Sequence, residues 1–271
     1  MLKAIIIIFS VILLLIALYL FVFIRPGRKR EFDIFYLTKY AHRGLHDSEN
    51  PENSLAAFKA AVENGYGIEL DLQLSSEGEV MVFHDYSLER MTGRKNKLSE
   101  LTSAELRELK LGGSEEKIPY LREVLETVDG RVPILIEMKG ESFSAAVCEK
   151  ANEILKNYSG GYVIESFNPI LVKWYKDNRP DIRRGLLITD IVKTNGFSVL
   201  NLLLSGMTLN CISKPDFIAY DIEKRIALPI FLCTRLYGNQ RFTWTIRTDK
   251  QFEEAKEERA CPIFEDIIPK N

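Results

Sequence analysis

The sequence predicts an α/β protein, a (β/α)8 TIM barrel with a small insertion, preceded by one N-terminal transmembrane helix. Two features of the 271-residue chain lead to this prediction: an uncharged apolar run at its start, and short apolar segments that alternate with helical patterns over the rest. Alternating strands and helices favour a parallel sheet covered by helices. About eight such units in about 235 residues suit a closed barrel better than an open sheet.

The N-terminal apolar run, Ala4–Ile24, contains no charged residue. At about 1.5 Å rise per residue it is long enough to cross a hydrocarbon core of about 30 Å. A cleaved signal peptide is the alternative, but its apolar part is typically about 7–15 residues long and is followed by small residues. Here the run ends in the bulky segment Tyr19–Ile24. We therefore expect an uncleaved anchor within residues 1–30 and one domain over residues 31–271.

The charges that flank this run predict its orientation. Lys3 precedes the run, whereas four basic residues follow it, namely Arg25, Arg28, Lys29 and Arg30. Because the more basic flank of a membrane helix stays on the cytoplasmic side, we expect a single-pass protein with its domain in the cytoplasm. The alternative is an unusual topology in which these charges only stop transfer.

The composition narrows the class of partner. The chain is 46% apolar and 27% charged, as in ordinary folded domains, and its formal charge of −2 gives no reason to expect nucleic acid. The four cysteines are widely spaced and form no CxxC pair. We therefore expect reduced structural thiols rather than a zinc site or a disulfide framework.

Nine segments read as strands. They are Lys39–Ala41, Gly67–Leu74, Val80–Phe83, Ile134–Met138, Tyr162–Glu165, Gly185–Ile188, Phe217–Tyr220, Thr243–Ile246 and Pro262–Phe264. The main helical candidates between them are Ser54–Glu63, Leu121–Val128, Ser144–Asn157 and Gln251–Glu258. Val80–Phe83 is an extra strand that forms a hairpin with the second one through the turn Ser75–Gly78.

Two stretches need separate interpretation. Residues 86–119 are polar, with a short helix at Ser103–Leu109, and are too long for an ordinary βα connection, so we expect a small insertion over one end of the barrel. The run Phe197–Met207 is strongly apolar. We expect it to be a buried barrel helix or cover, with a second membrane contact as the alternative.

The candidate chemistry lies at strand ends. His42 and His84 each follow a predicted strand, and Glu69 and Asp71 lie two residues apart, so both point to one face of their strand. Two carboxylates facing a barrel interior are costly unless a cation compensates them, and a hard divalent ion is the simplest compensation. Glu137 ends another apolar strand and is a third candidate.

Structural readings of the same residues stay open. The acids can form an ion-pair set with Lys139 and Arg43, and the histidines can be core residues bonded to the backbone. Asp85 either orients His84 through a hydrogen bond or caps the following turn. His46, the third histidine, lies beyond the first strand, and we expect it to be a solvated surface residue rather than one that faces a substrate.

Several motifs occur in a specific order over residues 37–250. They are His42–Gly44, Pro51–Phe58, Gly67–Asp71, His84–Asp85, Ile118–Leu125, Glu137–Lys139, Glu165–Asn168 and Thr243–Ile246. In this order and spacing the chain resembles the glycerophosphodiester phosphodiesterase family. The resemblance implies a TIM barrel with a small inserted segment, a divalent metal ion (Mg²⁺ or Ca²⁺), and hydrolysis of glycerophosphodiesters to glycerol 3-phosphate and an alcohol.

The resemblance also implies residue roles. His42 and His84 match the catalytic pair, and Glu69, Asp71 and Glu137 match the metal ligands. Arg43 and Lys139 match positions near the phosphate, and Glu52 matches an acid at the metal or glycerol site. Phe167 and Trp244 match apolar walls for the glycerol. The carboxyl-terminal segment Cys261–Pro269 departs from the family pattern, so the resemblance does not predict the polar contacts of the eighth barrel strand.

Other functions remain as alternatives. A lysophospholipase D-like or sphingomyelinase D-like enzyme can use the same scaffold, and an anchor makes lipid substrates accessible. The segment ending in Glu137–Lys139 resembles the glycerophosphodiester pattern and weighs against the sphingomyelinase version. A catalytically silent membrane-anchored binding module is a further alternative. It predicts the loss of at least one acid or histidine, yet all five candidates are present.

Overall fold

The computed structural model describes residues 1–27, 34–140, 144–189, 192–193, 196–224 and 227–269. Within these residues the chain forms nine strands. They are β1 (Tyr40–Ala41), β2 (Gly67–Leu74), β3 (Val80–Val82), β4 (Ile134–Met138), β5 (Tyr162–Ser166), β6 (Arg184–Ile188), β7 (Phe217–Asp221), β8 (Gln240–Ile246) and β9 (Cys261–Phe264). Every strand predicted from the sequence is present, with its ends shifted by at most a few residues.

Eight of these strands close into a parallel barrel. The order around it is β1, β2, β4, β5, β6, β7, β8 and β9, and β1 pairs with both β2 and β9. β3 stands outside the ring and pairs antiparallel with β2. The predicted TIM barrel and its extra hairpin strand are therefore confirmed.

Helices form before β1, in the insertion and between the strands, where they pack on the outside of the barrel. They are α1 (Leu2–Leu18), α2 (Ile34–Leu37), α3 (Leu55–Glu63), α4 (Glu89–Thr92), α5 (Ser103–Leu106), α6 (Leu121–Val128), α7 (Ala146–Leu155), α8 (Pro169–Asn178), α9 (Val199–Ser205), α10 (Asn210–Ser213), α11 (Leu228–Phe231) and α12 (Asp249–Glu257). π-Helical segments extend α1 over Tyr19–Phe23 and α11 over Leu232–Leu236. Short 3₁₀ turns lie at Leu98–Glu100 and Ile222–Lys224.

The alternation of side chains along each strand divides the core into an inner and an outer layer. Ile68, Leu70 and Leu72 of β2 are fully buried among residues of the surrounding helices, as the sequence predicts. The inner layer fills the barrel with residues of the opposite parity. Its strand residues are Tyr40, Leu135, Val163, Leu187, Phe217, Ala219, Phe242, Cys261 and Ile263.

Helix α2 closes the amino-terminal end of the barrel. Its residue Tyr36 is buried, and its ring centroid lies 5.6 Å from that of Phe242 and 6.4 Å from that of Phe217. Phe217 begins β7 and Phe242 lies near the start of β8. Because Tyr36 covers this end, we expect a ligand to bind at the carboxyl ends of the strands, where TIM barrels carry their sites.

The predicted insertion has a small core of its own. Its buried side chains pack with two residues from the β3 region, and the cluster comprises Met81, Phe83, Leu88, Leu98, Leu101, Leu106, Leu111 and Ile118. The helix expected at Ser103–Leu109 is shorter and ends at Leu106. The side chain of Thr102 caps it by accepting a hydrogen bond from the amide of Glu105.

The apolar run forms a helix over Leu2–Phe23 that is long and apolar enough to cross a membrane, and its mean hydropathy is 3.3. The end of this run packs on the barrel. Ile24 is fully buried in the outer layer beside β6 and β7. The basic residues Arg28–Arg30 and the expected domain boundary at residues 30 and 31 lie outside the described residues.

The expectation of a buried helix at Phe197–Met207 is wrong. Helix α9 forms there, but none of its residues is buried, and the side chain of Val199 is 71% exposed. The physical reason is that the outer layer over β6 and β7 is completed by Met207, Ile230 and the chain around Ile24, which take the place of α9.

Candidate active site

Three carboxylates meet inside the barrel, as the spacing of the acids predicts. Glu69 and Asp71 alternate along β2, and Asp71 lies directly opposite Glu137 of β4 in the strand register. Each of the three is at most 7% exposed, and one oxygen from each lies within 4.8 Å of the others. The parallel register therefore brings residues that are far apart in the sequence into one acidic cluster.

The acidic cluster holds three buried carboxylates beside the single ammonium of Lys139. Burial raises the pKa of Glu69 well above its usual value, and the neighbouring charge of Asp71 raises it further. Burial also raises the pKa of Glu137, to about 7, although Lys139 opposes this. The Lys139 ammonium lies 3.0 Å from Asp71 Oδ1 and 2.8 Å from Glu137 Oε1. Burial favours the neutral form of Asp71 too, but the charges of Lys139, His84 and Arg43 and the hydrogen bond from Asn53 together outweigh it and hold the pKa of Asp71 well below its usual range.

Glu165 is a fourth acid that the sequence reasoning did not place in the site. It lies opposite Glu137 in the register of β4 and β5 and is 1% exposed. Burial and the charge of Glu137 raise its pKa well above the usual value. The signal that predicted Glu137, an acid at the end of an apolar strand, is present at Glu165 as well and could have identified it.

His42 lies at the carboxyl end of β1, close to the acids. Its backbone amide donates to the carbonyl of Phe264, which extends the pairing of β1 with β9 by one residue. Its Nδ1 atom donates to Glu265 Oε2 at 2.6 Å, and its Nε2 atom lies 3.9 Å from Glu69 Oε2. Burial lowers the pKa of the ring, and this outweighs the hydrogen bond to Glu265.

Glu265 follows β9, the strand whose sequence departs from the family pattern. Burial raises the pKa of its carboxyl, but the hydrogen bond from His42 and the charges around it lower the pKa to about 2. His46 Nε2 lies 3.9 Å from Glu265 Oε1, and the His46 side chain is only 17% exposed. The expectation of a solvated surface histidine is therefore wrong, because the Glu265 segment covers His46.

His84 follows β3 and is oriented in a similar way. Its Nδ1 atom donates to Asp85 Oδ1 at 2.7 Å, so the orienting reading of Asp85 is the one observed. Gln73, on the same face of β2 as Glu69 and Asp71, donates through Nε2 to the carbonyls of Phe83, His84 and Asp85. Burial lowers the pKa of His84.

The loop after β1 positions Arg43. Its backbone is left-handed, with φ of 56°, and its amide donates to Glu69 Oε2 at 3.0 Å. The next residue, Gly44, has φ of 84°, and a Cβ atom there would lie 2.9 Å from Ala57, so the turn requires glycine. The guanidinium of Arg43 donates to Glu52 Oε1 at 2.8 Å.

Arg90, from the insertion, is a second residue that the sequence reasoning did not place near the site. It donates to both oxygens of Glu52, at 2.8 and 2.7 Å, and to Asp85 Oδ2 at 2.6 Å. Its position in a polar stretch of the sequence carried no signal for this contact. Arg90 thus connects the partner of Arg43 to the partner of His84.

A cavity of about 370 Å³ opens over these groups. Its polar lining consists of His42, His84, Arg43, Glu69, Glu137 and Glu165, and its aromatic lining consists of Phe167 and Trp244. These two rings meet edge to face, with centroids 5.9 Å apart. The other two residues expected to contact a substrate, Glu52 and Lys139, do not line this cavity; Glu52 pairs with Arg43, and Lys139 pairs with Asp71 and Glu137.

The fold and this cavity define a class: a TIM barrel whose open rim carries two carboxylate-bound imidazoles beside a cluster of buried acids. Residues 42–268 match the Glycerophosphoryl diester phosphodiesterase family. The chain belongs to this family.

Individual relatives agree with this assignment. The chain is 38% identical over 159 residues to a glycerophosphodiester phosphodiesterase of Caldanaerobacter subterraneus, a match that covers 54% of this chain and 65% of the relative. It is 32% identical over 181 residues to a human lysophospholipase D, covering 59% of this chain and 56% of that protein. The matched region thus spans less than two thirds of either relative.

A solved structure supports the same fold. The crystal structure of a glycerophosphodiester phosphodiesterase from Thermotoga maritima superimposes with a TM-score of 0.65 at 26% identity. The match covers 87% of this chain and 95% of the other.

The contact between Glu265 and His42 leads to a testable prediction. Glu265→Gln keeps a hydrogen-bond acceptor but removes the negative charge that favours the protonated imidazole, so the pKa of His42 should fall. Side-chain NMR of the three histidines in the detergent-solubilised chain measures this pKa. Asp266→Asn is the matched control, since Asp266 is 65% exposed and pairs with Arg247. An unchanged His42 titration in Glu265→Gln would contradict the contact.

Proposed function

We propose that the chain hydrolyses glycerophosphodiesters to glycerol 3-phosphate and an alcohol at the rim of the barrel. The observation that carries the proposal is the convergence of His42 and His84 with Glu69 and Glu137 around one cavity, where Asp71 completes a cluster of three buried carboxylates. Membership of the family supports the same reaction class.

The acidic cluster fits a divalent cation. Glu69, Asp71 and Glu137 offer hard oxygen atoms within 4.8 Å of one another, and burial together with the neighbouring carboxylates raises the pKa of Glu69 and that of Glu137. We infer that these three residues hold Mg²⁺ or Ca²⁺. When bound, such an ion supplies positive charge that offsets the negative charge of the phosphodiester.

The two imidazoles supply proton transfer. Each ring donates from Nδ1 to a carboxylate, which leaves Nε2 as the atom for exchange with the substrate. One ring takes the proton of the attacking oxygen as this forms a bond to phosphorus. The other gives a proton to the oxygen of the leaving alcohol as its bond to phosphorus breaks. The attacking oxygen is that of water or that of the substrate's own glycerol hydroxyl, which forms a cyclic phosphate first.

The other lining residues bind the substrate in this proposal. Arg43 lines the cavity and is held by Glu52, so its guanidinium can contact the phosphate oxygens. Phe167 and Trp244 provide an apolar wall for the glycerol carbons. Lys139 is 9% exposed and balances Asp71 and Glu137, so we assign it to the electrostatics of the acids near the phosphate.

The histidine pair leads to a testable prediction. His42→Ala and His84→Ala should each lower kcat for glycerophosphocholine by about 10²–10⁴-fold, because a positioned acid or base typically contributes that much. Release of choline by the detergent-solubilised chain in Mg²⁺ or Ca²⁺ measures the effect. His46→Ala is the control, since His46 does not line the cavity. Near-normal kcat in either His42→Ala or His84→Ala would refute the proton-transfer roles.

The acids lead to a second prediction. Mg²⁺ or Ca²⁺ should raise the unfolding temperature of the chain, since a ligand at about 100 times its Kd stabilises by about 2.7 kcal/mol. The double variant Glu69→Gln/Asp71→Asn should lose this rise, as measured by thermal unfolding with and without chelator. Glu63→Gln/Asp181→Asn removes two acids outside the cluster and should keep it. A full metal response in the first variant would exclude these ligands.

Lysophospholipids are a second candidate substrate class. The observation that favours them is the likeness to the human lysophospholipase D, together with the apolar N-terminal helix. Parallel assays with glycerophosphocholine and lysophosphatidylcholine, below and above the detergent concentration that forms micelles, separate the two candidates.

We also propose that Leu2–Phe23 is an uncleaved single-pass anchor and that the barrel lies in the cytoplasm. The length and hydropathy of the helix support the anchor. The burial of Ile24 against the barrel supports the retention of the N-terminal segment, because removal of residues 1–24 would expose this part of the outer layer. The basic flank and the four free cysteines support the cytoplasmic side.

This orientation predicts the behaviour of a reporter fused after the last residue. A fluorescent protein that folds only in the cytoplasm should be bright, and alkaline phosphatase, which needs export, should be inactive. The converse pattern would show that the barrel is exported and would overturn the proposed orientation.

A further inference from the structure

The end of the N-terminal helix is fixed to one flank of the barrel. The Tyr19 hydroxyl donates to the carbonyl of Gly206 at 3.0 Å, and the Tyr237 hydroxyl donates to the carbonyl of Leu20. Farther along, Asn210 Nδ2 donates to the carbonyl of Ile24 at 2.9 Å. Residues 19–24 therefore remain in contact with the barrel. The surface formed by α9, α10 and α11, called the flank below, lies beside them.

This flank exposes most of the large apolar side chains of the barrel. Beyond residue 27, eleven such side chains are exposed among the described residues, and eight of them belong to α9, α11 and the segments next to these helices. The eight are Phe197, Val199, Leu200, Leu202, Leu203, Leu228, Phe231 and Leu236. Soluble surfaces rarely concentrate apolar residues in this way, so the flank is an interaction surface.

A basic groove of about 1000 Å³ lies on the same flank. Arg25, Lys176, Arg184 and Lys214 line it, beside Phe21, Val22 and one acid, Asp216. Arg184 lies 3.4 Å from Asp216, and Lys176 lies 3.3 Å from Asp177. Lys214 donates to the carbonyl of Arg25 at 2.9 Å. Burial lowers the pKa of Lys214, and the charges of Arg25 and Lys176 lower it further. Positive charge therefore exceeds negative charge in the groove.

The exposed apolar side chains and the basic groove follow each other along the N-terminal segment in the order expected at a membrane surface, where acyl chains give way to charged head groups. Tyr19 and Leu20 are hydrogen-bonded to Gly206 and Tyr237, which follow the exposed apolar segments of α9 and α11, whereas Arg25 lines the groove. The helix ends at Phe23, and Arg25 lies two residues beyond its end. At the helical rise of about 1.5 Å per residue, the five positions from Leu20 to Arg25 correspond to about 7.5 Å. This matches the depth of about 5–10 Å over which interfacial proteins pass from acyl chains to head groups.

We propose that this flank seats the barrel on the bilayer, with the apolar side chains of α9 and α11 among the acyl chains and the phosphate of an anionic phospholipid in the groove of Arg25, Lys176 and Lys214. The proposal rests on the anchor proposed above. The lipid bilayer is the occupant that the observations favour, since the apolar surface is continuous with the apolar helix and the groove adds the charge that anionic head groups require.

Depth-dependent quenching tests the apolar contact. Leu200→Cys and Phe231→Cys are labelled with an environment-sensitive dye in the full chain carrying Cys211→Ser, because the other three cysteines are buried. In nanodiscs that contain nitroxide-labelled phosphatidylcholine, both dyes should be blue-shifted and quenched. Lys59→Cys on α3, where Lys59 is 68% exposed, is the control and should be neither. Dyes at 200 and 231 that behave like the dye at 59 would overturn the proposal, and so would a dimer in which a second copy covers them.

Thermal unfolding tests the groove. In micelles of neutral detergent, added phosphatidylglycerol should raise the unfolding temperature more than phosphatidylcholine does. Lys176→Gln/Lys214→Gln should remove more than half of this difference, whereas the control Lys59→Gln/Lys150→Gln should keep it. An equal response in both double variants would overturn the groove assignment. The same stabilisation by inorganic phosphate alone would overturn a lipid as its ligand.

Two measurements separate a failure of this proposal from a failure of the proposals on which it rests. The intact mass of the membrane-extracted chain shows whether residues 1–27 are retained, and their absence would overturn both the anchor and the seating. Hydrolysis of glycerophosphocholine by Lys176→Gln/Lys214→Gln should equal that of the unmodified chain. With the anchor retained and activity present, a negative result from the dyes or from phosphatidylglycerol overturns the membrane seating alone.

Discussion

The structure depends on how the barrel compensates negative charge in its interior. Glu69, Asp71, Glu137 and Glu165 lie on three adjacent strands whose register brings the four carboxylates together. An uncompensated buried charge costs several kcal/mol, so such a cluster persists only with cations or protons beside it. Lys139 supplies one cation and Arg43 another, while burial and the neighbouring carboxylates still raise the pKa of Glu69 and of Glu165 well above the usual value. A divalent ion among these carboxylates would supply further positive charge and favour their ionised forms.

Much of this could be predicted from the sequence, for a physical reason. Side chains alternate along a strand, so the spacing of Glu69 and Asp71 determined that they share a face, and closure of the barrel determined that the face is internal. The two histidines were found because each follows a strand, and the carboxyl ends of parallel strands meet at one rim. The roles of these residues stay a proposal, since geometry defines what they can do and not what they do.

The parts that were not predicted depend on contacts that no local pattern records. Glu265 reaches His42 across the pairing of β1 with β9, which joins the first and last strands of the chain. His46 is partly covered for the same reason. Helix α9 was expected to be buried because it is apolar, yet the chain around Ile24 occupies the layer that it would have filled. The apolar sequence of α9 predicted burial, but hydrophobicity alone does not indicate which of several apolar segments packs against β6 and β7.

The guanidinium of Arg90 has a consequence for the evolution of the insertion. Arg90 forms hydrogen bonds with Glu52, which binds Arg43, and with Asp85, which orients His84. The insertion therefore links the loop that carries Arg43 to the segment that carries His84, and its removal would affect both. A homologue that shortened or exchanged it would have to acquire another cation at the same point, or else leave two carboxylates to repel each other beside the groups they orient.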